Sequence, residues 1–222
     1  MLPQPPQNPK IAIRAPQQQR SADTMARLVD ATERLLEERP FEEVSVAEIT
    51  RHARSSIGAF YARFEDKHAL MEYLDHRHAQ ELIERVTAYS EERRWRETPI
   101  EAFVMEMVGF LAAFFKEHRA VLRALSIRAR RSADPNASEA TQRVNSRLPE
   151  LVRLVLSRRG EIRHASPDLA VYLGFVMVLG TLRERILFPE SYPTQIPVSD
   201  SLLADELAKA YLAYLGVQTL NP

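Results

Sequence analysis

The chain has 222 residues, which is enough for one large domain or for a small domain joined to a larger one. Its 30 basic and 30 acidic side chains cancel, so bulk charge does not indicate a nucleic-acid partner, and any such contact must come from a local patch. The absence of cysteine excludes disulfides, thiolate catalysis and cysteine-ligated metal sites.

The first 19 residues are rich in proline and glutamine and poor in large apolar side chains. Such a segment cannot anchor a core, so residues 1–19 are predicted to form a disordered arm. No apolar segment typical of a secretory signal is present, and we expect a cytoplasmic protein. The most apolar run, residues 169–182, is shorter than the roughly 20 residues that span a bilayer, so no membrane partner is expected.

The rest of the chain shows helical spacing of apolar residues and little strand-like alternation. We predict an all-α fold of about nine helices: an N-terminal helix-turn-helix bundle of three helices, then a larger helical domain. The predicted helices cover residues 21–38, 45–53, 57–64, 66–86, 99–117, 119–130, 138–158, 167–188 and 200–215.

Two of these helix starts have recognisable caps. Ser45 is followed three residues later by Glu48, which is the pattern of a capping box, in which each residue bonds the other's backbone amide. Asp66 stands where it can cap the fourth helix.

Residues 49–64 have the spacing of a helix-turn-helix. Ile49 and Ala53 are four residues apart on one face of the first helix, and Phe60 and Phe64 are four apart on the second, so all four are predicted to point inward. The outer face of the second helix is then available for a DNA major groove.

Local charge agrees with this prediction. No acid occurs between Glu48 and Glu65, while three arginines and one histidine do. The alternative, a small helical hairpin with a solvated basic face, is not excluded by spacing and charge.

The segment 45–70, SVAEITRHARSSIGAFYARFEDKHAL, resembles the DNA-binding module of the TetR family of transcriptional regulators. The matching elements are the Ser-Val-x-Glu-Ile opening, Ile57-Gly58, Phe60-Tyr61-x-x-Phe64, and Asp66-Lys67 followed by Leu70. The resemblance covers roughly residues 20–74. The remainder agrees only in length, helical content and a short stretch near Gly180.

The resemblance implies a DNA-binding site. Backbone phosphates would be held by Ser45, Tyr61, Arg63 and Lys67, and the tip that enters the groove would be formed by the residues at the start of the second helix. The full predicted set is Ser45, Arg54, Ser55, Ser56, Ile57, Gly58, Ala59, Tyr61, Arg63 and Lys67.

Arg54 departs from the family pattern, which has glycine there because the turn favours a positive φ. A non-glycine residue in that conformation costs on the order of 1 kcal/mol. Either the turn has a different shape, or a phosphate contact of Arg54 offsets the strain. The apolar tip formed by Ile57 and Ala59 would suit thymine methyl groups.

In the larger domain, the segment 169–182 is apolar all round and is expected to be covered on every side. The resemblance implies that the last two long helices of each subunit form the interface of a homodimer; burial within one subunit is the alternative. The predicted interface residues are Val176, Leu179, Gly180, Arg183, Leu207, Tyr211 and Tyr214.

Aromatic and methionine side chains crowd the predicted helix 99–117 and return in 167–188. The resemblance implies that a small-molecule effector binds among them and alters the spacing of the two DNA-reading heads; plain core packing is the alternative. The predicted pocket residues are Phe103, Met107, Phe110, Phe114, Tyr172 and Phe175.

No catalytic or cofactor signature is present in the sequence. His68, Glu72 and His76 recur on one helix face, but no fourth ligand or HExxH pattern accompanies them, so no metal site is predicted. We also find no phosphate-binding glycine loop, nucleophile elbow or carboxylate pair, and we predict that the chain is not an enzyme.

The predicted organisation is an arm at 1–19, a DNA-binding domain at 20–67 and a regulatory and dimerisation domain at 68–222. The predicted function is a ligand-responsive, homodimeric transcriptional repressor that binds a palindromic operator in double-stranded DNA. The alternative is a helical small-molecule-binding or interaction protein whose head no longer binds DNA.

Overall fold

The structure is a computed structural model that describes residues 19–131, 139–191 and 197–218; the predicted arm, apart from residue 19, lies outside these ranges. Within them the chain is all-α and contains no strand, which confirms the predicted fold class. The helices are α1 (Gln19–Glu38), α2 (Val46–His52), α3 (Ile57–Tyr61), α4 (Lys67–Ser90), α5 (Ile100–Glu117), α6 (Arg119–Arg131), α7 (Glu139–Arg147), α8 (Pro149–Leu156), α9 (Pro167–Leu187) and α10 (Asp200–Leu215).

Two predicted helix bounds are wrong. The predicted helix 138–158 is divided at Leu148, because Pro149 lacks a backbone N–H and takes the first position of a new helix. The predicted helix 57–64 ends at Tyr61, although the amide of Phe64 still donates to the carbonyl of Phe60 at 3.0 Å.

The chain divides into two compact units, residues 1–77 and 78–222, and α4 runs across the division. The predicted domain boundary between residues 67 and 68 stays a prediction.

The first unit has a core formed by α1, α2, α3 and the beginning of α4. The amphipathic α1 buries Leu28 and Leu35 completely, and Thr32 between them satisfies its hydroxyl by donating to the carbonyl of Leu28 at 2.8 Å. Fully buried side chains from the rest of the unit complete this core: Ile49, Phe60, Phe64, Leu70, Met71 and Leu74.

The core of the second unit is centred on α5, α9 and α10, which pack against one another. At the contact of α9 with α10 the ring of Tyr211 lies on Gly174, where an added Cβ would overlap the ring. The Tyr211 hydroxyl donates to the carbonyl of Val171 at 2.7 Å. Glycine at position 174 therefore allows α10 to approach α9 closely.

Within the single chain α9 is covered on one side only, so the expectation that it is covered on every side stays a prediction. One face buries residues such as Val178 and Leu182, but a second apolar face is exposed. Among the helices of the described ranges, none is long and apolar enough to cross a membrane.

Candidate nucleic-acid interface

The start of α2 is fixed by the predicted capping box, which is confirmed. The Ser45 hydroxyl oxygen accepts from the Glu48 amide at 3.2 Å, and the Glu48 carboxylate accepts from the Ser45 amide at 3.0 Å and from its hydroxyl at 2.7 Å. These bonds, together with Arg39 at 2.9 Å, hold the pKa of Glu48 below its usual value, so the carboxylate stays ionised. The backbone amide and the hydroxyl of Ser45 therefore both donate to the ionised carboxylate of Glu48.

The end of α2 is a Schellman motif with an arginine in the glycine position. The Ser55 amide donates to the Thr50 carbonyl at 2.8 Å and the Arg54 amide to the Arg51 carbonyl at 3.1 Å, which is the hydrogen-bond pattern of that motif. Arg54 itself has a φ of 48°. The turn thus keeps the left-handed conformation although no glycine is present, and a differently shaped turn is excluded.

Replacing Arg54 with glycine is expected to raise the free energy of unfolding by about 1 kcal/mol, because glycine adopts a positive φ without the Cβ strain. Urea denaturation followed by far-UV circular dichroism measures the change. Arg51→Gly is the control, since it lies inside the helix and should destabilise by about 1 kcal/mol. If Arg54→Gly were no more stable than the wild type, Arg54 would not be under backbone strain.

Helix α3 has a short solvent-exposed face, and its opposite face is buried. Ser56 caps α3 by accepting from the Ala59 amide at 3.0 Å. Phe60 is completely buried, while Ile57 is 51% exposed and Tyr61 is 55% exposed. The Tyr61 ring packs edge-on against Phe60 at 5.4 Å.

The four residues predicted to point inward are all buried, which confirms that prediction: Ile49, Ala53, Phe60 and Phe64. The periodicity of the segment alone was sufficient to find them.

The two predicted phosphate-binding cations are engaged with the protein backbone. Arg63 donates to the Ala59 carbonyl at 2.6 Å, one helical turn back. Lys67 donates to three carbonyls, those of Phe41 at 3.1 Å, Glu42 at 3.0 Å and Val44 at 3.0 Å.

An ammonium group has three donors, so the Lys67 bonds use all of them. The Nζ atom also lies 4.7 Å from the centre of the Phe41 ring, where a cation is attracted by the π-system. This site explains the cation at the start of α4, which the helix dipole disfavours. In this geometry Lys67 holds the segment that leads into α2, and a phosphate would have to displace one of its carbonyl partners.

Sequence reasoning missed a contribution of α1. The Arg27 Nε donates to the carbonyl of Ala53, at the end of α2, at 3.2 Å. Both residues line a groove of about 290 Å³ together with Asp30, Ala31, Arg34, His52 and Arg54. Its charge is mainly positive. The sequence offered no signal for it, because the contact joins residues 26 positions apart.

The residues predicted to line an effector pocket lie at different depths of the second unit. Phe103, Met107, Phe114 and Phe175 are buried in its core and Phe110 packs against that core, whereas Tyr172 is 61% exposed. Tyr172 is therefore at the surface and not among the other five.

The residues predicted to form the dimer interface are also divided. Val176 and Arg183 are exposed and Leu179, Gly180, Leu207 and Tyr214 are half-buried, but Tyr211 is only 2% exposed. The Tyr211 ring is covered within its own chain by α9.

Comparisons with known proteins identify the N-terminal module. The family model described as bacterial regulatory proteins, tetR family, matches residues 28–74. No curated protein matches the chain.

Solved structures extend the similarity to most of the chain. A TetR-family regulatory protein from Rhodococcus RHA1 has a TM-score of 0.65 at 13% identity and covers 88% of this chain and 98% of its own. A TetR-family regulator from Streptomyces coelicolor has 0.61 at 22%, covering 87% and 80%. NalD of Pseudomonas aeruginosa, the secondary repressor of the MexAB-OprM multidrug efflux pump, has 0.59 at 19%, covering 90% and 99%.

The chain therefore has the fold of TetR-family transcriptional regulators, with that family's N-terminal module at residues 28–74. The family match itself is confined to this N-terminal module, and the likeness of the rest of the chain is one of fold.

Proposed function

We propose that this chain is a cytoplasmic, homodimeric transcriptional repressor that binds a palindromic operator and responds to a small-molecule effector. The observation that carries the proposal is the exposed face of α3. The side chains of Ile57 and Tyr61 are about half exposed to solvent, whereas Phe60 on the opposite face of the helix is completely buried. Burial of the two exposed side chains would favour folding, so their exposure calls for a functional reason. The surrounding segment, residues 49–64, contains arginines and no acid.

We assign the phosphate contacts to Arg54, to Arg63 and to the hydroxyl of Tyr61. The groove beside Arg54 extends the positive surface onto α1 through Arg27 and Arg34, which supports a phosphate there. Such a contact would offset the backbone strain at Arg54.

The base-reading tip is assigned to Ser55, Ser56, Ile57, Gly58 and Ala59. The oxygen of Ser56 accepts a bond within the helix, which leaves its proton for a base. A Cβ at Gly58 would meet only the Ser56 Oγ, at 3.9 Å, so the backbone there is open to close approach by DNA. Ile57 and Ala59 suit thymine methyl groups.

Ser45 and Lys67 are given positioning roles in this proposal. Their donors go to Glu48 and to the carbonyls that precede α2, respectively. Both residues fix where α2 begins and thereby orient the helix that supports α3.

For the dimer interface we propose the exposed apolar face of α9. It consists of Leu169, Tyr172, Leu173, Val176 and Met177, spaced as one stripe along the helix. Gly180 continues the stripe, and a Cβ there would meet nothing within 4 Å, which would let a second helix approach closely. Two copies related by a two-fold axis would match a palindromic operator.

For the effector we propose an apolar molecule that enters the aromatic cluster of the second unit. Tyr89 stacks on Phe110 with ring centres 4.7 Å apart and contacts Trp95 at the same distance. The Tyr89 hydroxyl is buried and has no hydrogen-bond partner among the described residues, so it would be the polar anchor. Saturable quenching of Trp95 fluorescence, lost in Tyr89→Phe, tests this; quenching unchanged by that variant would contradict it.

DNA binding is tested by selecting the operator from random DNA and measuring affinity by fluorescence anisotropy over a range of salt concentrations. The wild-type complex is expected to weaken steeply with salt, since phosphate contacts release counterions. Tyr61→Ala is expected to weaken binding at least tenfold, because a hydrogen bond to a charged group contributes about 1.5–3 kcal/mol. Arg54→Gly should lower the salt slope by about two for the dimer.

The matched control is Arg153→Ala, an exposed arginine of α8 in the second unit, which should leave affinity and salt slope unchanged. If the wild-type chain selects no sequence and forms no salt-sensitive complex, the DNA-binding proposal fails. That outcome favours the alternative of a helical ligand-binding or interaction protein.

A further inference from the structure

Three side chains that no predicted function uses meet at one point inside the second unit. His78 and Glu81 lie three residues apart on one face of α4, and His118 lies at the junction of α5 and α6. One ligand atom of each is within 4.8 Å of the others. Glu81 bridges the two rings: its carboxylate oxygens are 3.8 Å from the His78 Nδ1 and 3.3 Å from the His118 Nε2.

The two rings are held in place by burial. His78 is 3% exposed, the His118 side chain is 12% exposed, and their ring centres are 4.6 Å apart. Phe114 packs against His118 at the same separation of ring centres. The His118 Nε2 is buried and forms no hydrogen bond to any residue in the described ranges. A buried ring nitrogen that makes no hydrogen bond is unusual in native proteins and calls for an explanation.

The donor atoms of the three side chains are two imidazole nitrogens and a carboxylate oxygen. Neutral imidazole nitrogens with a carboxylate oxygen are the ligand set that Zn²⁺ and related transition metals prefer.

The surrounding residues orient the carboxylate, as outer partners do in metal sites. Arg85 donates to a Glu81 oxygen at 2.5 Å and holds Glu117 with two bonds, of 2.7 and 2.9 Å. Glu117 lies 3.9 Å from the His118 Nε2, and its side chain is half exposed. Two carboxylates balance the added positive charge beside Arg85.

We propose that His78, Glu81 and His118 bind one divalent transition-metal ion, such as Zn²⁺ or Co²⁺, through the His78 Nδ1, a Glu81 oxygen and the His118 Nε2. Ligand atoms of a tetrahedral zinc site are about 3.3 Å apart, so the two separations given above require only small side-chain rotations. Two nitrogen ligands disfavour Mg²⁺ and Ca²⁺, which prefer oxygen. The site lies wholly in the second unit and does not depend on DNA binding.

This proposal replaces the prediction of no metal site, which considered only the stripe of His68, Glu72 and His76 on α4. In the structure the His68 ring packs edge-on against Phe41 at 5.5 Å and is not part of the cluster. His78 and His118 are 40 positions apart, so their meeting depends on the tertiary fold.

The test uses the full chain, produced without a polyhistidine tag, stripped with a chelator and titrated with Co²⁺. We expect the visible absorption of a four-coordinate Co²⁺ site, saturating at one ion per chain, and its loss when Zn²⁺ is added. His78→Gln and His118→Gln are expected to weaken binding more than a hundredfold, since losing even an outer-shell partner costs about 10–100-fold.

The matched control is His76→Gln, two residues earlier on α4, which should bind Co²⁺ as the wild type does. Because the two histidines are buried, Glu81→Gln provides a more exposed variant, and circular dichroism must show that each variant is folded. The proposal is overturned if the wild-type chain shows no saturable Co²⁺ spectrum. It is equally overturned if folded Glu81→Gln and His118→Gln bind Co²⁺ like the wild type, or if His76→Gln abolishes binding.

Discussion

Replacing Phe60 with alanine is expected to lower the free energy of unfolding of the first unit by about 3–5 kcal/mol, the usual cost of removing a buried phenylalanine. Phe60 is completely buried, and its ring contacts that of Phe64 at a centre-to-centre distance of 5.5 Å. Because whole domains are stable by only about 5–15 kcal/mol, this loss should leave the helix-turn-helix partly unfolded under mild conditions.

The chain allows the two units to be followed separately in this experiment. Its single tryptophan, Trp95, lies in the second unit, so tryptophan fluorescence reports that unit, whereas far-UV circular dichroism reports all helices. In Phe60→Ala we expect part of the dichroism to be lost at low urea before the fluorescence changes. Binding to the selected operator should be lost with it.

Ile57→Ala is the matched control for Phe60→Ala, because Ile57 is on the same helix but half exposed. Its effect on stability should be within about 0.5 kcal/mol, while it alters DNA selection. A Phe60→Ala chain with the denaturation curve of the wild type would show that α3 does not rest on this core.

Replacing Val176 with arginine is expected to weaken the dimer by more than a hundredfold. Val176 lies in the middle of the exposed stripe of α9 and is 45% exposed in the single chain, so the substitution should not disturb the monomer. In a dry interface each subunit would bury an unpaired charge, which costs about 3–5 kcal/mol. Sedimentation velocity over a concentration series measures the monomer–dimer equilibrium.

The control is Ala113→Arg, which adds the same charge at an exposed position of α5 and should leave the dimer intact. Val176→Arg should also bind the operator more weakly. A dimer binds both half-sites of the operator at once, whereas a monomer binds each half-site independently. Unchanged dimerisation of Val176→Arg would remove the α9 stripe from the interface.

The features that the sequence predicted correctly involve residues that are close together along the chain. The capping pair of Ser45 and Glu48 is three residues apart, and Asp66 accepts from the amide of Ala69 at 2.8 Å, as a cap at the start of α4 should. Periods of four residues identified the buried faces of α2 and α3. The division at Pro149 was equally local and was missed, although proline at a first helical position is a known signal.

The partners of long polar side chains were not accessible to the same reasoning. Lys67 was assigned to a phosphate, but its ammonium reaches carbonyls 23 to 26 residues earlier. Tyr211 has the spacing of an interface residue, but its ring is covered by Gly174 and its hydroxyl is bonded to Val171. A sequence pattern shows which side chains share one face of a helix, but it does not show which other element packs against that face.

By itself the sequence determined an all-α chain with a helix-turn-helix at residues 49–64. Helix caps, the periodicity of apolar residues and a positively charged residue in the turn are each properties of a few neighbouring residues, so they can be identified without the tertiary structure. Only the tertiary structure decided which side of α9 stays exposed, which carbonyls receive Lys67, and that His78 and His118 meet at Glu81. Those outcomes depend on how helices distant in sequence pack, and packing is set by the whole core and not by local propensity.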